Sequence, residues 1–338
     1  MIKKINKKGS KVVREMKQCF RALHLSVENV KNGEPCEFKS KIDNANTLAE
    51  VIVEYRPDFN CVNINFNFGV MKSGNIDEIK KLINMINGIT PFCQLSLCPC
   101  CNEIILHASL FISNNKLQKD KFDWLLRYML EIVHLAYPAI SMLVSMGGTA
   151  EKYYDICKDN IWNVTYWEQG LDKEMTKNVL NGLASVFADL KFTITDENRI
   201  ENGFIFPCVH PSEPGLCINM ITALDNEDST VIIHAVSSFT VPDDKMTTTI
   251  ELINRINRLC GYQHLFVDSL GKKCVFLYGI RLDNGVLQEE EFQNAFRVMI
   301  TDALCWFPIL QELVTSGGIE SDLIRKRIPC YNDKTTMY

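Results

Sequence analysis

No stretch of this 338-residue chain supplies the roughly 20 uninterrupted apolar residues that a membrane-spanning helix needs. The nearest candidate, Trp124 to Met146, carries Arg127, Glu131, His134 and Pro138, and is expected to be a buried helix, not a span. No secretory leader is expected either. The chain opens Met1-Ile-Lys-Lys-Ile-Asn-Lys-Lys with no apolar segment behind the charge, so the expected compartment is a reducing cytoplasm. With only 17 glycines and 11 prolines, collagen-like and low-complexity architectures are excluded. A phosphate-cradling glycine loop is absent too: the two glycine doublets, Gly147-Gly148 and Gly317-Gly318, fall at predicted helix ends. His107, His134 and His234 sit inside predicted regular elements with apolar neighbours, and none belongs to a known nucleophile motif.

What remains is an ordinary globular composition, 46% hydrophobic and 23% charged with a net charge of −5, long enough for about two domains. Charge is unevenly placed. Residues 1–21 hold eight basic residues against Glu15, a net of +7, which leaves −12 for the rest (−5 less +7). That acidic remainder argues against a broad nucleic-acid surface, and the basic residues are expected on a solvated N-terminal tail and the structural helix it leads into.

An internal repeat organises the chain. Leu82-Ile83-Asn84-Met85-Ile86-Asn87 recurs as Leu252-Ile253-Asn254-Arg255-Ile256-Asn257, and the 170-residue offset persists without a gap to Gly147-Gly148 and Gly317-Gly318, with 17 identities in 67 positions. Upstream the offset is 167: Val12, Val13, Met16, Cys19, Phe20 and Leu23 fall on Val179, Leu180, Leu183, Val186, Phe187 and Leu190. The three-residue difference is expected between Tyr55 and Val62, opposite the acidic segment Asp225-Asn226-Glu227-Asp228. The division is a basic tail at 1–10, domains at 11–148 and 176–318, an aromatic connector at 149–175 and a C-terminal tail at 319–338.

Periodicity assigns each copy the order α-β-β-β-α-β-β-α. Val12 to Leu23 shows one helical face. Val51 and Val53, then Val62, Ile64, Phe66 and Phe68, alternate with polar residues, as in antiparallel strands with one buried face. The class is α+β, with the two copies expected as a pseudo-two-fold pair and the connector crossing their interface.

The Ile-Asn-x-Ile-Asn segment of the middle helix, the hairpin after it, and a last helix with an internal proline ending in Gly-Gly resemble the YbjN family of bacterial proteins. The resemblance covers both copies. It implies the fold of type III secretion chaperones and a role in regulation and protein binding, with no catalytic residues to carry over. Related chaperones hold client segments along strands and apolar grooves, a form of β-augmentation. The function expected is therefore a non-catalytic protein-binding module with a protein client, and no enzyme, nucleic-acid partner or membrane span. The alternative is a metal- or small-molecule-responsive regulator, with an unrecognised enzyme behind both.

That alternative rests on thiols. Among 14 cysteines the densest group is Cys93, Cys98, Cys100 and Cys101, at a hairpin tip of the kind that holds zinc. A zinc ribbon needs a second cysteine pair at matching distance, and none follows. Cys208, His210 and Cys217 form a sparser possible set. Asn84, Asn87, Asn254 and Asn257 are unusual inside helices and are expected to cap the middle helix or bond to the adjacent strand. Gly147 and Gly317 are expected as left-handed helix caps, and Cys19 and Cys274 as small buried hydrophobes.

Overall fold

The computed structural model describes residues 2–317 apart from 24, 26–27, 32–35, 45–46, 57–60, 71–74, 99, 113–116, 165–169, 212 and 261. Side chains at 2–10, 28–31, 36–39, 41–49, 70, 210 and 213–214 also lie outside the described part. The chain divides into two compact units, Met1–Leu82 with Phe92–Thr165, and Ile83–Pro91 with Tyr166–Tyr338. The second unit thus includes the end of a helix whose start belongs to the first.

The first copy comprises helix α1 (Ile2–Ala22), strands β1 (Glu28–Lys31), β2 (Cys36–Asn44), β3 (Thr47–Arg56) and β4 (Cys61–Val70), helix α2 (Ile76–Asn87), strands β5 (Gln94–Leu97) and β6 (Glu103–Phe111), and helix α3 (Lys119–Met146). Helix α4 (Ala150–Asn163) follows. The second copy repeats the plan with α5 (Lys173–Asp189), β7 (Arg199–Ile200), β8 (Gly203–His210), β9 (Glu213–Asp225), β10 (Thr230–Ser237), α6 (Met246–Asn257), β11 (His264–Val267), β12 (Cys274–Arg281) and α7 (Glu289–Ser316). Both sheets are antiparallel and six-stranded, in the equivalent orders β1-β2-β3-β4-β6-β5 and β7-β8-β9-β10-β12-β11. The α+β class is therefore as the sequence predicts.

Each copy has one strand more before its middle helix than periodicity assigns. In the first copy the unforeseen strand is β2, where Ser40 interrupts the apolar series between Phe38 and Ile42. The backbone nonetheless pairs Phe38 with Val53 and Ser40 with Val51. In the second copy β8 contains Pro207, a residue that lacks the ladder N–H and is tolerated where one strand edge goes unpaired. Its partner strand β7 is only two residues long and reaches only Gly203 and Phe204.

Pairing register also relocates the three-residue difference between the copies. Val51, Val53 and Tyr55 pair with Phe66, Ile64 and Val62, and their counterparts are Met220, Thr222 and Leu224, paired with Ala235, Ile233 and Val231. The connections after β3 and after β9 are consequently equal in length, and Asp225–Asp228 is no insertion. The extra residues lie in the β8–β9 hairpin, whose pairing shifts between Val209 and His210. Sequence identity misplaces such a gap because strands repeat every two residues, so an even slip preserves the inward face.

Helices from each unit pack on one face of its sheet. In the second unit Phe187 of α5 is fully buried, with ring centroids 5.4 Å from Phe204, 4.7 Å from Phe206, 5.5 Å from Phe292 and 5.1 Å from Phe296. Its counterpart Phe20 is equally buried and lies 6.4 Å from Phe122. Helices α3 and α7 are long and apolar enough to cross a membrane by length and composition alone, with 39% and 50% of those windows buried. Residues 2–10, expected as a tail, continue α1, and 318–338, with the C-terminal tail, lie outside the described residues. Pro138 and Pro308 are accommodated within continuous helices. Gly317 ends α7 in the left-handed region (φ 66°, ψ 25°), whereas Gly147 ends α3 with positive φ but an extended ψ of −169°. The left-handed cap is realised only at Gly317.

The outer sheet faces differ in chemistry. In the first copy Asn63, Asn65, His107 and Ser109 form a polar row across β4 and β6. In the second, Phe266, Val275 and Leu277 are buried together, with Ile232 and Val236 against them. Residues 83–91 lie over this apolar face: a Cβ on Gly88 would come within 3.2 Å of the Phe266 ring, and the Gly279 N–H donates to the Pro91 carbonyl at 2.8 Å.

Candidate functional site: a thiol turn in the first copy

The tip between β5 and β6 is a closed backbone turn. Cys98 N–H donates to the Glu103 carbonyl at 2.8 Å, and Asn102 N–H donates to the Cys98 carbonyl at 2.8 Å. Asn102 takes positive φ, 55°, a conformation that asparagine accepts more readily than most residues. This folds the chain back so that the Cys98, Cys100 and Cys101 sulfurs all lie within 4.8 Å of one another. Cys98 and Cys100 are in thiol contact at 2.9 Å. Cys98 is buried at the base, and the other two are exposed.

Burial pushes the Cys98 thiol up, but hydrogen bonds from the Cys100 and Cys101 side chains and backbone amides outweigh it and bring the thiol to about 6. The hydrogen bond to Cys98, followed by burial, drives Cys101 the other way, to about 11.

Of the four cysteines singled out by sequence, three come together. Cys93 does not: it precedes β5, so the strand separates it from the tip by roughly 16 Å of extended chain. It is enclosed, with burial raising its thiol strongly. The second set is not assembled among the described residues either. Cys208 and Cys217 are half-buried on adjacent strands, and the side chain of His210 lies outside the described residues.

Two of the described histidines are held by hydrogen bonds. His107, expected among apolar neighbours, instead joins a polar chain. Nδ1 meets Asn65 Oδ1 at 2.6 Å, Nε2 meets the Ser109 hydroxyl at 3.1 Å, and Ser109 donates to Asn63 Oδ1 at 2.8 Å. Sequence reasoning missed this row because it requires knowing that β4 pairs with β6. His264 is enclosed and its Nε2 donates to the Asn87 carbonyl at 2.8 Å. Burial lowers both His234 and His264 to about 4. At the core edge, burial raises Asp302 to about 6, and Gln263 donates to its carboxylate.

Two asparagines close the outer edge of β11. Alternate residues of a strand present both backbone groups to the same edge, and here His264 and Phe266 face β12, leaving Leu265 and Val267. Asn257 of α6 donates to the Leu265 carbonyl at 2.8 Å and accepts from its N–H at 2.7 Å. Asn84, from the 83–91 segment, does the same at Val267, at 3.0 and 2.9 Å. The opposite edge is closed by β7, by Asn198, whose amide donates to the Ile205 carbonyl at 3.1 Å, and by Pro207.

The connector is largely helical. Tyr153, Cys157 and Ile161 of α4 are buried in the first unit, where Tyr153 donates to the Gly147 carbonyl at 2.8 Å. Its outward side carries Ile156, 52% exposed, and Trp162, 51% exposed.

No family description matches the sequence, and no curated protein matches it. A solved structure of the meganuclease I-SmaMI bound to uncleaveable DNA aligns over 86% of this chain and 92% of its own, at 10% identity and a TM-score of 0.11. A score that low carries no argument about fold or function.

Proposed function

We propose that this chain is a non-catalytic, cytoplasmic regulatory protein of the tandem YbjN type that binds a protein partner through the exposed side of α4. The observation that carries the proposal is the pair Ile156 and Trp162, half-exposed on a helix of the connector, outside both repeated domains. A large apolar side chain left half in water is a typical anchor of protein interfaces, tryptophan above all. A helix face suits this reading better than strand addition at β11, where Leu265 and Val267 have their backbone groups occupied and offer an added strand nothing to pair with. A binding role also agrees with the histidines. His107 has both ring nitrogens engaged and His264 is enclosed, neither being placed to move a proton at a reacting centre.

The test is affinity capture with the full chain and with a double variant, Ile156→Ser with Trp162→Ala. A stoichiometric protein partner that the native chain retains and the variant loses supports the proposal. Recovery of no partner, or of the same partner by both chains, overturns it.

A further inference from the structure

The β5–β6 turn has a counterpart that shows what the fold requires of it. In the second copy Asp268 N–H donates to the Lys273 carbonyl at 2.9 Å, the same closure that Cys98 makes with Glu103. There the Asp268 carboxylate accepts the Gly271 N–H. The hairpin closes without any thiol at Asp268–Lys272. Three cysteines in the equivalent segment of the first copy thus answer to something other than folding.

Their arrangement specifies a chemistry. Three sulfurs within 4.8 Å of one another form a triangle that a central ion can fill at metal–sulfur bonds of roughly 2.3 Å. Among the described residues no histidine or carboxylate joins the group, and Cys93 lies apart. Thiolate-only ligation rejects magnesium and calcium, which take oxygen, and selects soft ions. A structural zinc ion closes a tetrahedron of four protein ligands, one more than this turn offers. A cuprous ion is satisfied by three thiolates. The bond from the Asn102 N–H to the Cys98 carbonyl closes the turn that brings these sulfurs together, while exposure of Cys100 and Cys101 leaves an entry path.

We propose that Cys98, Cys100 and Cys101 form a three-thiolate binding site for a single cuprous ion.

The experiment uses the reduced, metal-free full chain under anaerobic conditions. Cuprous ion is titrated in competition with a chromophoric chelator, and zinc is titrated in parallel. Three variants accompany it: Cys98→Ser with Cys100→Ser and Cys101→Ser, Cys93→Ser, and a chain whose residues 98–102 are replaced by the sequence of residues 268–272. The replacement preserves hairpin closure, and unchanged circular dichroism and melting temperature confirm that it folds. The native chain and Cys93→Ser should each hold one high-affinity cuprous ion, with X-ray absorption reporting three sulfur neighbours. The triple variant and the replacement should lose that one equivalent. Equal cuprous binding by native chain and replacement overturns the proposal, since other cysteines would then be the ligands. A preference for zinc with a fourth protein ligand overturns it as well, as does recovery of the fully reduced turn without bound copper at chelator-limited micromolar concentrations.

Discussion

Asn84 and Val267, 183 residues apart, exchange two hydrogen bonds: the side-chain amide donates to the Val267 carbonyl at 3.0 Å and its oxygen accepts the Val267 N–H at 2.9 Å. A side chain here does what a neighbouring strand would do, and both bonds are buried. Replacing Asn84 by alanine removes both partners at once and leaves an enclosed N–H and C=O unsatisfied, at about 1–3 kcal/mol each. The expected loss is about 2–6 kcal/mol in chemical denaturation. Asn84→Asp should not rescue it, because a carboxylate accepts from the N–H but cannot donate to the carbonyl. An Asn84→Ala chain as stable as the native one would show that water replaces the amide at no cost.

The asparagines also mark how far sequence reaches. Their burial and bonding to a strand follow from the cost of leaving amides unpaired inside a helix, and that expectation holds for Asn257, whose strand begins seven residues downstream. Which strand Asn84 meets was beyond reach, since the contact joins residues far apart in the chain. The repeat was legible because core residues recur in phase: Cys19 and Val186, or Ile104 and Cys274, occupy equivalent enclosed places. Strand β2 was not, because Ser40 breaks the apolar alternation at a position the fold buries completely. For the thiols, spacing revealed the cluster but not its membership; only the strand between Cys93 and Cys98 separates ligand from core residue.

His264 supplies a pH dependence. Burial holds it at about 4 in the folded chain, the Asn87 carbonyl opposing only in part, against an ordinary value of 6.5. The unfolded chain therefore binds the proton first as pH falls. Stability from the neutral ring is complete above pH 6.5 and is lost toward pH 4, at up to about 1.4 kcal/mol per pH unit for one histidine. His234, lowered in the same direction, adds to the slope. Urea denaturation between pH 7.5 and 4.5 should show this decline, and His264→Gln, which introduces the residue found at the equivalent Gln94, should flatten it. An unchanged slope in that variant would assign the acid sensitivity elsewhere.

Thr222 offers a stabilising change. It lies in the middle of β9, pairs with Phe204 on one side and Ile233 on the other, is fully enclosed, and its hydroxyl has no hydrogen-bond partner among the described residues. The equivalent residue of the first copy is Val53, equally enclosed. An enclosed hydroxyl without a partner forfeits its hydration and gains nothing in return. Valine has nearly the same shape and the same preference for strands, so Thr222→Val should fill the space without strain. The expected gain is about 1 kcal/mol, read as a higher urea midpoint with an unchanged denaturant slope. Thr222→Ser, which keeps the hydroxyl and removes a methyl group, should instead destabilise. If valine lowers the midpoint, the hydroxyl is bonded to an enclosed water and the core of the second unit is wetter than its apolar lining implies.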